Sequence, residues 1–390
     1  MYSRCVSTRR KRPRRRWALL VVPLLVVTLL LIIGVALRGA LFDARRAAAP
    51  PAATPPLPRT PPRAPPAAWL GLNYNSGSNT GSLSDFARRG IVYDREGSLE
   101  VRAGKTPENF PIFASGLAAS YAAGMVPDVV VDPATAPHGC KTDPVPTKFC
   151  LPTRETQVAS YVQGFVQTAS SVLHMYPGAQ VLFEPTDEPW SWASPPGTKP
   201  GKRAAAEFAF ILAQLLPAAR AAKVPLGDIY VPANGRLNDG TSWIPDLYEA
   251  QPCLKPGSGS CGPIAAWNLH PYGPPHSTTE GIDSVPGVRA EMHSGADNVV
   301  VSEIGFCAVD VNRGRGCDQN GPDVVGTSAQ TATWLRKTLI AAARMHRAGW
   351  LKALLIWERA GTGLAMQNRT GALTAQGRVL DLFADSELSH

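Results

Sequence analysis

Residues 298–306 read NVVVSEIGF, and the run is short, apolar and bounded by Asn and Gly. Such a run is a strand candidate, and it ends on Glu303. A carboxylate closing an apolar strand is costly unless it is solvated, paired or used. The same kind of segment recurs on either side: WLGLNY (69–74), IVYDRE (91–96), VPDVVVD (126–132), AQVLFEP (179–185), DIYVPAN (228–234), IAAWNLHPY (264–272) and LKALLIWER (351–359). Helix candidates lie between them, at about 82–89, 108–124, 153–176, 202–222, 243–251, 285–295 and 327–349, and a last piece spans 377–384. In 202–222, Ala204, Phe208, Ile211, Leu212 and Leu215 fall at helical spacing, and Pro217 is expected to end or kink that helix early.

Eight strands, most followed by a helix, predict an α/β chain whose 69–390 region is a (β/α)8 TIM barrel. A doubly wound sheet is the alternative. Neither G-x-G-x-x-G after the first strand nor G-x-x-x-x-G-K-[ST] occurs, so the phosphate-binding signature of that class is missing.

The 390 residues carry a formal net charge of +9, with 44% hydrophobic and 18% charged residues, which excludes a wholly disordered chain. The charge is segregated. Residues 1–16 hold eight basic side chains and no acid, 38–68 add five arginines against Asp43, and 69–390 carry 26 basic and 29 acidic residues. A slightly acidic body disfavours a basic-groove nucleic-acid enzyme. Between the two basic stretches, Trp17–Leu37 is 21 residues without a charge, enough at about 1.5 Å per residue to span a hydrocarbon core of roughly 30 Å. It is too long for a cleaved signal. The reading is a signal-anchor (17–37) behind a basic cytoplasmic tail (1–16), with the remainder outside the membrane by the positive-inside rule. Nine prolines in residues 50–66 make 38–68 a polyproline-rich stalk.

Cysteines fit that compartment. Cys5 lies on the predicted cytoplasmic side, and six others form the neighbour pairs Cys140/Cys150, Cys253/Cys261 and Cys307/Cys317. Local disulfides are expected; no ligand spacing points to zinc, so no metal and no cofactor is expected.

In a barrel the chemistry sits at the C-terminal ends of the strands. There the sequence places Asn73 and Tyr74, Arg95, Asp132, Glu184 to Trp190, Asn234, His270, Tyr272, Glu303 and Trp357. Glu188 and Glu303 fall on this one face, and two carboxylates flanking a site are what glycosidic hydrolysis needs. The plainer reading of Glu303 is a surface carboxylate or a buried ion pair. For His270 and Tyr272 it is a satisfied polar pair at the rim, for Arg95 a structural salt bridge, and for Trp190, Trp192 and Trp243 loop packing rather than a saccharide cleft.

TDEPW (186–190) after the fourth strand and VSEIGF (301–306) on the seventh resemble the acid/base and nucleophile motifs of the clan A glycoside hydrolases, a group of retaining (β/α)8 enzymes. WNLHPY (267–272) is similar to the group's His-x-Tyr, and LIWE (355–358) to its sugar-stacking Trp. The resemblance implies Glu188 as acid/base, Glu303 as nucleophile, Tyr272 bonded to the nucleophile, His270 orienting the acid/base or a hydroxyl, and Trp357 against the sugar. Asn73, Arg95 and Trp190 join the substrate-binding set, and Glu184 is expected to support it by hydrogen bonding. The group usually has Asn before the acid/base, donating to the sugar 2-hydroxyl; here it is Asp187, which accepts only when ionised. That change selects a 2-substituent bearing a donor, or leaves Asp187 protonated, or marks a lost activity. The implied function is a membrane-anchored, extracytoplasmic, monomeric retaining hydrolase of a β-linked oligo- or polysaccharide. The alternative is an inactive barrel that binds cell-envelope polysaccharide.

Overall fold

The computed structural model describes residues 69–74, 80–105, 110–134, 151–152, 154–189, 202–233, 242–258, 261–271, 281–311, 324–358, 366–368 and 372–388. The tail, anchor and stalk (1–68) lie outside the described residues, as do Cys140, Cys150, Trp190, Trp192, Asn234, Tyr272 and Cys317.

In the first half each strand is followed by a helix: β1 (Leu70–Tyr74), α1 (Thr80–Arg88), β2 (Ile91–Val101), α2 (Phe110–Ala122), β3 (Val126–Pro133), α3 (Glu155–Met175), β4 (Leu182–Pro185) and α4 (Lys202–Ala221). The second half is β5 (Val231–Pro232), α5 (Ile244–Ala250), β6 (Trp267–Leu269), α6 (Val285–Met292), β7 (Val299–Ile304), β8 (Phe306–Ala308), β9 (Val324–Gly326), α7 (Ser328–Arg347), β10 (Leu351–Glu358) and α8 (Ala375–Leu388). The eight-stranded sheet runs β4-β3-β2-β1-β10-β7-β6-β5, and every pairing in it is parallel. Its two ends meet at a parallel bridge between Phe183 and Ile229, where the Tyr230 N–H donates to the Phe183 carbonyl at 2.8 Å. The sheet is a closed (β/α)8 barrel.

Period-two alternation along the strands sorts their side chains. One buried cluster, including Val92, Tyr93, Val126, Leu182, Tyr230, Val300 and Leu355, fills the barrel; the larger cluster joins the outer strand faces to the helices. Gly71 makes room for the inner cluster, since a Cβ there would lie 2.5 Å from Tyr93 Cβ and 2.8 Å from Leu355 Cγ.

The structure differs from expectation in several elements. Helix α4 buries the five predicted residues but runs through Pro217 to Ala221. Buried Leu215, Leu216 and Ala219 hold the turn that the proline disfavours. β5 is two residues long, although beyond it the Ala233 N–H still donates to the Asn268 carbonyl at 2.8 Å. The run after Glu303 leaves the barrel: β8 pairs with β9 in a separate two-stranded parallel sheet. Trp243 does not line a cleft. It is buried, stacks on Phe208 at 5.3 Å and donates to the Pro232 carbonyl at 2.9 Å. Cys253 and Cys261 form the expected disulfide, and Cys307 is also disulfide-bonded.

Candidate active site

The inward-facing layer above the apolar plug is polar, because Asp128 on β3, Glu184 on β4 and Ser302 on β7 take alternate positions to Val126, Leu182 and Val300. Arg95 sits among the acids. Arg95, 4% exposed, is held by Glu184 on two nitrogens, from Nε at 3.2 Å and from Nη2 at 2.7 Å. Nη2 also donates to Asp187 Oδ1 at 2.9 Å, and Nη1 bonds Glu303 Oε1. Asp128 lies 3.8 Å from Nε. Arg95 is therefore a buried salt bridge within the site: it holds three carboxylates, including the expected nucleophile.

Glu303 receives a second donor from Asn73 Nδ2 at 2.9 Å. Its carboxyl is pushed up, first by burial and then by the negative charges of Asp187 and Glu188, against the pull of His270 and Arg95. Repulsion from the neighbouring carboxylates contributes, but desolvation of this strand-end carboxyl is the larger cause.

His270, one residue beyond β6, links the two glutamates. Its Nδ1 lies 3.1 Å from Glu188 Oε1 and 3.6 Å from Glu303 Oε2, while Nε2 meets Ser302 Oγ at 2.9 Å. Burial works against its charge, yet Glu303 and the Glu188 hydrogen bond raise its pKa to about 9. The imidazolium then donates from both nitrogens, to Glu188 and to Ser302. One oxygen each of Glu188 and Glu303 and a nitrogen of His270 lie within 4.8 Å of one another.

The turn after β4 aims the two acids. Thr186 and Glu188 have φ of 78° and 40°, left-handed values that for a β-branched Thr cost on the order of 1–3 kcal/mol. The turn is tied down by Thr186 N–H to the Val131 carbonyl at 3.1 Å and by Asp187 N–H to Asp132 Oδ1 at 2.8 Å. Burial favours a neutral Asp187, but the charges of Arg95 and His270 and the Arg95 hydrogen bond win and hold its carboxyl below the usual range. Asp187 is ionised.

The structure thus brings Asn73, Arg95, Asp187, Glu188, His270 and Glu303 together at one end of the barrel. Trp357 is half-buried, paired in register with Asn73 and packed against Cys307; Tyr272 and Trp190 lie outside the described residues. Glu184 has the supporting place expected of it. Ser302, Asn268 and Asp128 escaped the sequence reading. Asn268 Oδ1 accepts from the Ser302 N–H at 3.2 Å, and both residues face His270; the alternation from His270 back to Asn268 and the position before Glu303 were the available signals. Two trios have metal-ligand spacing, Glu184/Asp187/His270 and Glu188/His270/Glu303. Arg95 pairs with Glu184 and Asp187 of the first trio and with Glu303 of the second.

Solved structures share this architecture. A GH5-4 broad specificity endoglucanase from Bacteroides salanitronis aligns over 82% of this chain and 93% of its own, at 14% identity and a TM-score of 0.51. A structure of two fungal beta-1,4-galactanases covers 81% and 98% at 13% identity and a TM-score of 0.52, and ZgEngAGH5_4, solved in complex with a cellotriose, covers 84% and 99% at 11% identity and 0.51. At these identities the likeness is one of fold, a (β/α)8 barrel. No family model and no curated protein matches the chain.

Proposed function

We propose that this chain, built on the clan A barrel, is a membrane-anchored, outward-facing glycoside hydrolase that cleaves β-linked saccharides with retention. The observation that carries the reading is the close approach of Glu188 and Glu303 oxygens, within 4.8 Å, at the end of the barrel where the strands' C-termini converge. A close approach supports direct nucleophilic attack, for which carboxyls lie about 5–5.5 Å apart, over the roughly 6.5–9.5 Å an inverting enzyme leaves for its water.

In the first step Glu303 Oε2 forms a bond to the anomeric carbon. The bond to the leaving oxygen breaks, and that oxygen takes the Glu188 proton. Arg95 and Asn73 hold the other Glu303 oxygen and so orient the attack. In the second step Glu188, now a carboxylate, takes a proton from water. The hydroxide equivalent attacks the same carbon, and Glu303 leaves as the free carboxylate. His270, bonded to Glu188 and fixed by Ser302, holds the acid/base in line for both steps.

The anchor, the stalk and the outward orientation rest on the apolar Trp17–Leu37 segment and the basic run before it. The test is turnover by the full-length chain across a broad panel of β-linked saccharides, with product stereochemistry read by NMR. Retained configuration is expected, and Glu303→Ala abolishes turnover. Glu188→Gln lowers kcat/KM by about 10²–10⁴-fold on substrates with poor leaving groups. No turnover on the whole panel, or undiminished turnover in Glu303→Ala, overturns the reading. Saccharide binding without cleavage, surviving Glu188→Gln, favours the inactive binding barrel.

A further inference from the structure

We propose that the preferred substrate is a β-linked 2-amino-2-deoxy sugar and that Asp187 is the residue that selects it; this rests on the hydrolase reading above. Asp187 and Glu303 are held on the two terminal nitrogens of one guanidinium, so the Asp187 carboxylate lies immediately beside the nucleophile. Its side chain is 39% exposed, against 26% for Glu188 and 10% for Glu303. Oδ1 takes the Arg95 bond, and among the described residues no donor is bonded to Oδ2. An ionised, part-exposed carboxylate is thus available to a ligand beside the nucleophile.

The chemistry of a sugar ring decides what faces it. The anomeric carbon attacked by Glu303 has two ring neighbours. One is the ring oxygen, which has no proton and is repelled by an anion. The other is C2, whose substituent can donate. The ring therefore turns its C2 side to Asp187. A hydroxyl satisfies that oxygen with a single neutral hydrogen bond, whereas an ammonium group adds charge to it, and charge-assisted bonds are about twice as strong.

The surroundings favour the cation further. With Glu188 protonated as the acid, Glu184, Asp187 and Glu303 still outnumber Arg95 and His270, and Arg95 is already shared among the three. The transition state adds a second argument. Positive charge develops at the anomeric carbon, and a neighbouring ammonium makes it more costly unless an anion lies close. A fixed carboxylate cancels that charge where a neutral amide could not, so Asp187 acts on kcat as well as on KM.

The experiment compares kcat/KM of the full-length chain on β-1,4 oligomers of glucosamine, glucose and N-acetylglucosamine of equal length, and on the corresponding aryl β-glycosides. These series differ only at C2. Wild type is expected to favour glucosamine by at least tenfold over both neutral series, and Asp187→Asn to reverse the ratio. N-acetylation of the same glucosamine oligomers removes the preference, so wild type alone decides the matter if the variant fails to accumulate. A wild-type ratio of one or below, or a ratio unchanged in Asp187→Asn, overturns the inference while cleavage of the neutral series leaves the hydrolase reading standing. No turnover here or on the wider panel overturns both.

Discussion

Arg95 carries most of the site's electrostatic balance. Its planar fork reaches Glu184, Asp187 and Glu303 at once, which the point charge of a lysine cannot do. The guanidinium is one of two groups pulling Glu303 down against burial, and Glu303 must be ionised to attack. In Arg95→Lys the acid limb of the kcat/KM profile is therefore expected to move to higher pH than in wild type, with a lower plateau; a limb that stays in place refutes this coupling. His270 sets the other side. With its pKa raised from 6.5 to about 9, its stabilising charge is fully present below about 6.5 and is lost as pH rises through about 9. Wild-type activity and thermal stability should both decline across that upper window. At this scale the sequence showed residue types at strand ends. It did not show that Arg95 is a salt bridge and a site residue together, because its three acids come from β4, the turn after it and β7, separated by up to 208 positions.

The strands were legible because each is a short apolar run between Gly, Pro, Asn or Asp, and the helices because their apolar faces recur at 3.6 residues. What stayed hidden depends on pairing. The two-residue β5, the departure of β8 to join β9, and the left-handed turn at Thr186–Glu188 are set by partners that no local window contains. Gly71 is the clearest case. As a residue it is an unremarked small side chain in WLGLNY, yet in the barrel it gives up its volume to Tyr93 and Leu355. Backbone and side-chain atoms on both sides leave a methyl nowhere to go. Gly71→Ala is expected to destabilise the barrel by about 1–3 kcal/mol through overpacking, read as a lowered midpoint in chemical denaturation. Because β1 also carries Asn73, which donates to Glu303, the same variant should lose activity out of proportion to its folded fraction. A midpoint within error of wild type would show that the barrel interior can relax.

For the whole molecule, the net +9 describes no single surface. Thirteen basic residues lie before position 69, while the body has 26 basic residues against 29 acidic ones. Helix α4 is apolar enough by length and composition to cross a membrane, but half of its apolar window is buried and it packs its apolar face on the barrel. A second membrane contact through α4 would have to expose Phe208, Ile211, Leu212 and Leu215, all fully buried, at roughly 1.5–3 kcal/mol for each large side chain. In the proposed topology Trp17–Leu37 is the span, and the eight basic residues before it orient the chain with the body outside. Two consequences can be measured on the full-length chain. It should sediment with membranes and resist alkaline extraction. Protease added to intact cells with a permeable envelope should cut the proline-rich 38–68 stretch and release the body. A chain recovered in the soluble fraction, or one protected until the cells are lysed, refutes this topology. The barrel and its acids would stand unaffected, since the contacts that build them lie, among the described residues, between 69 and 388.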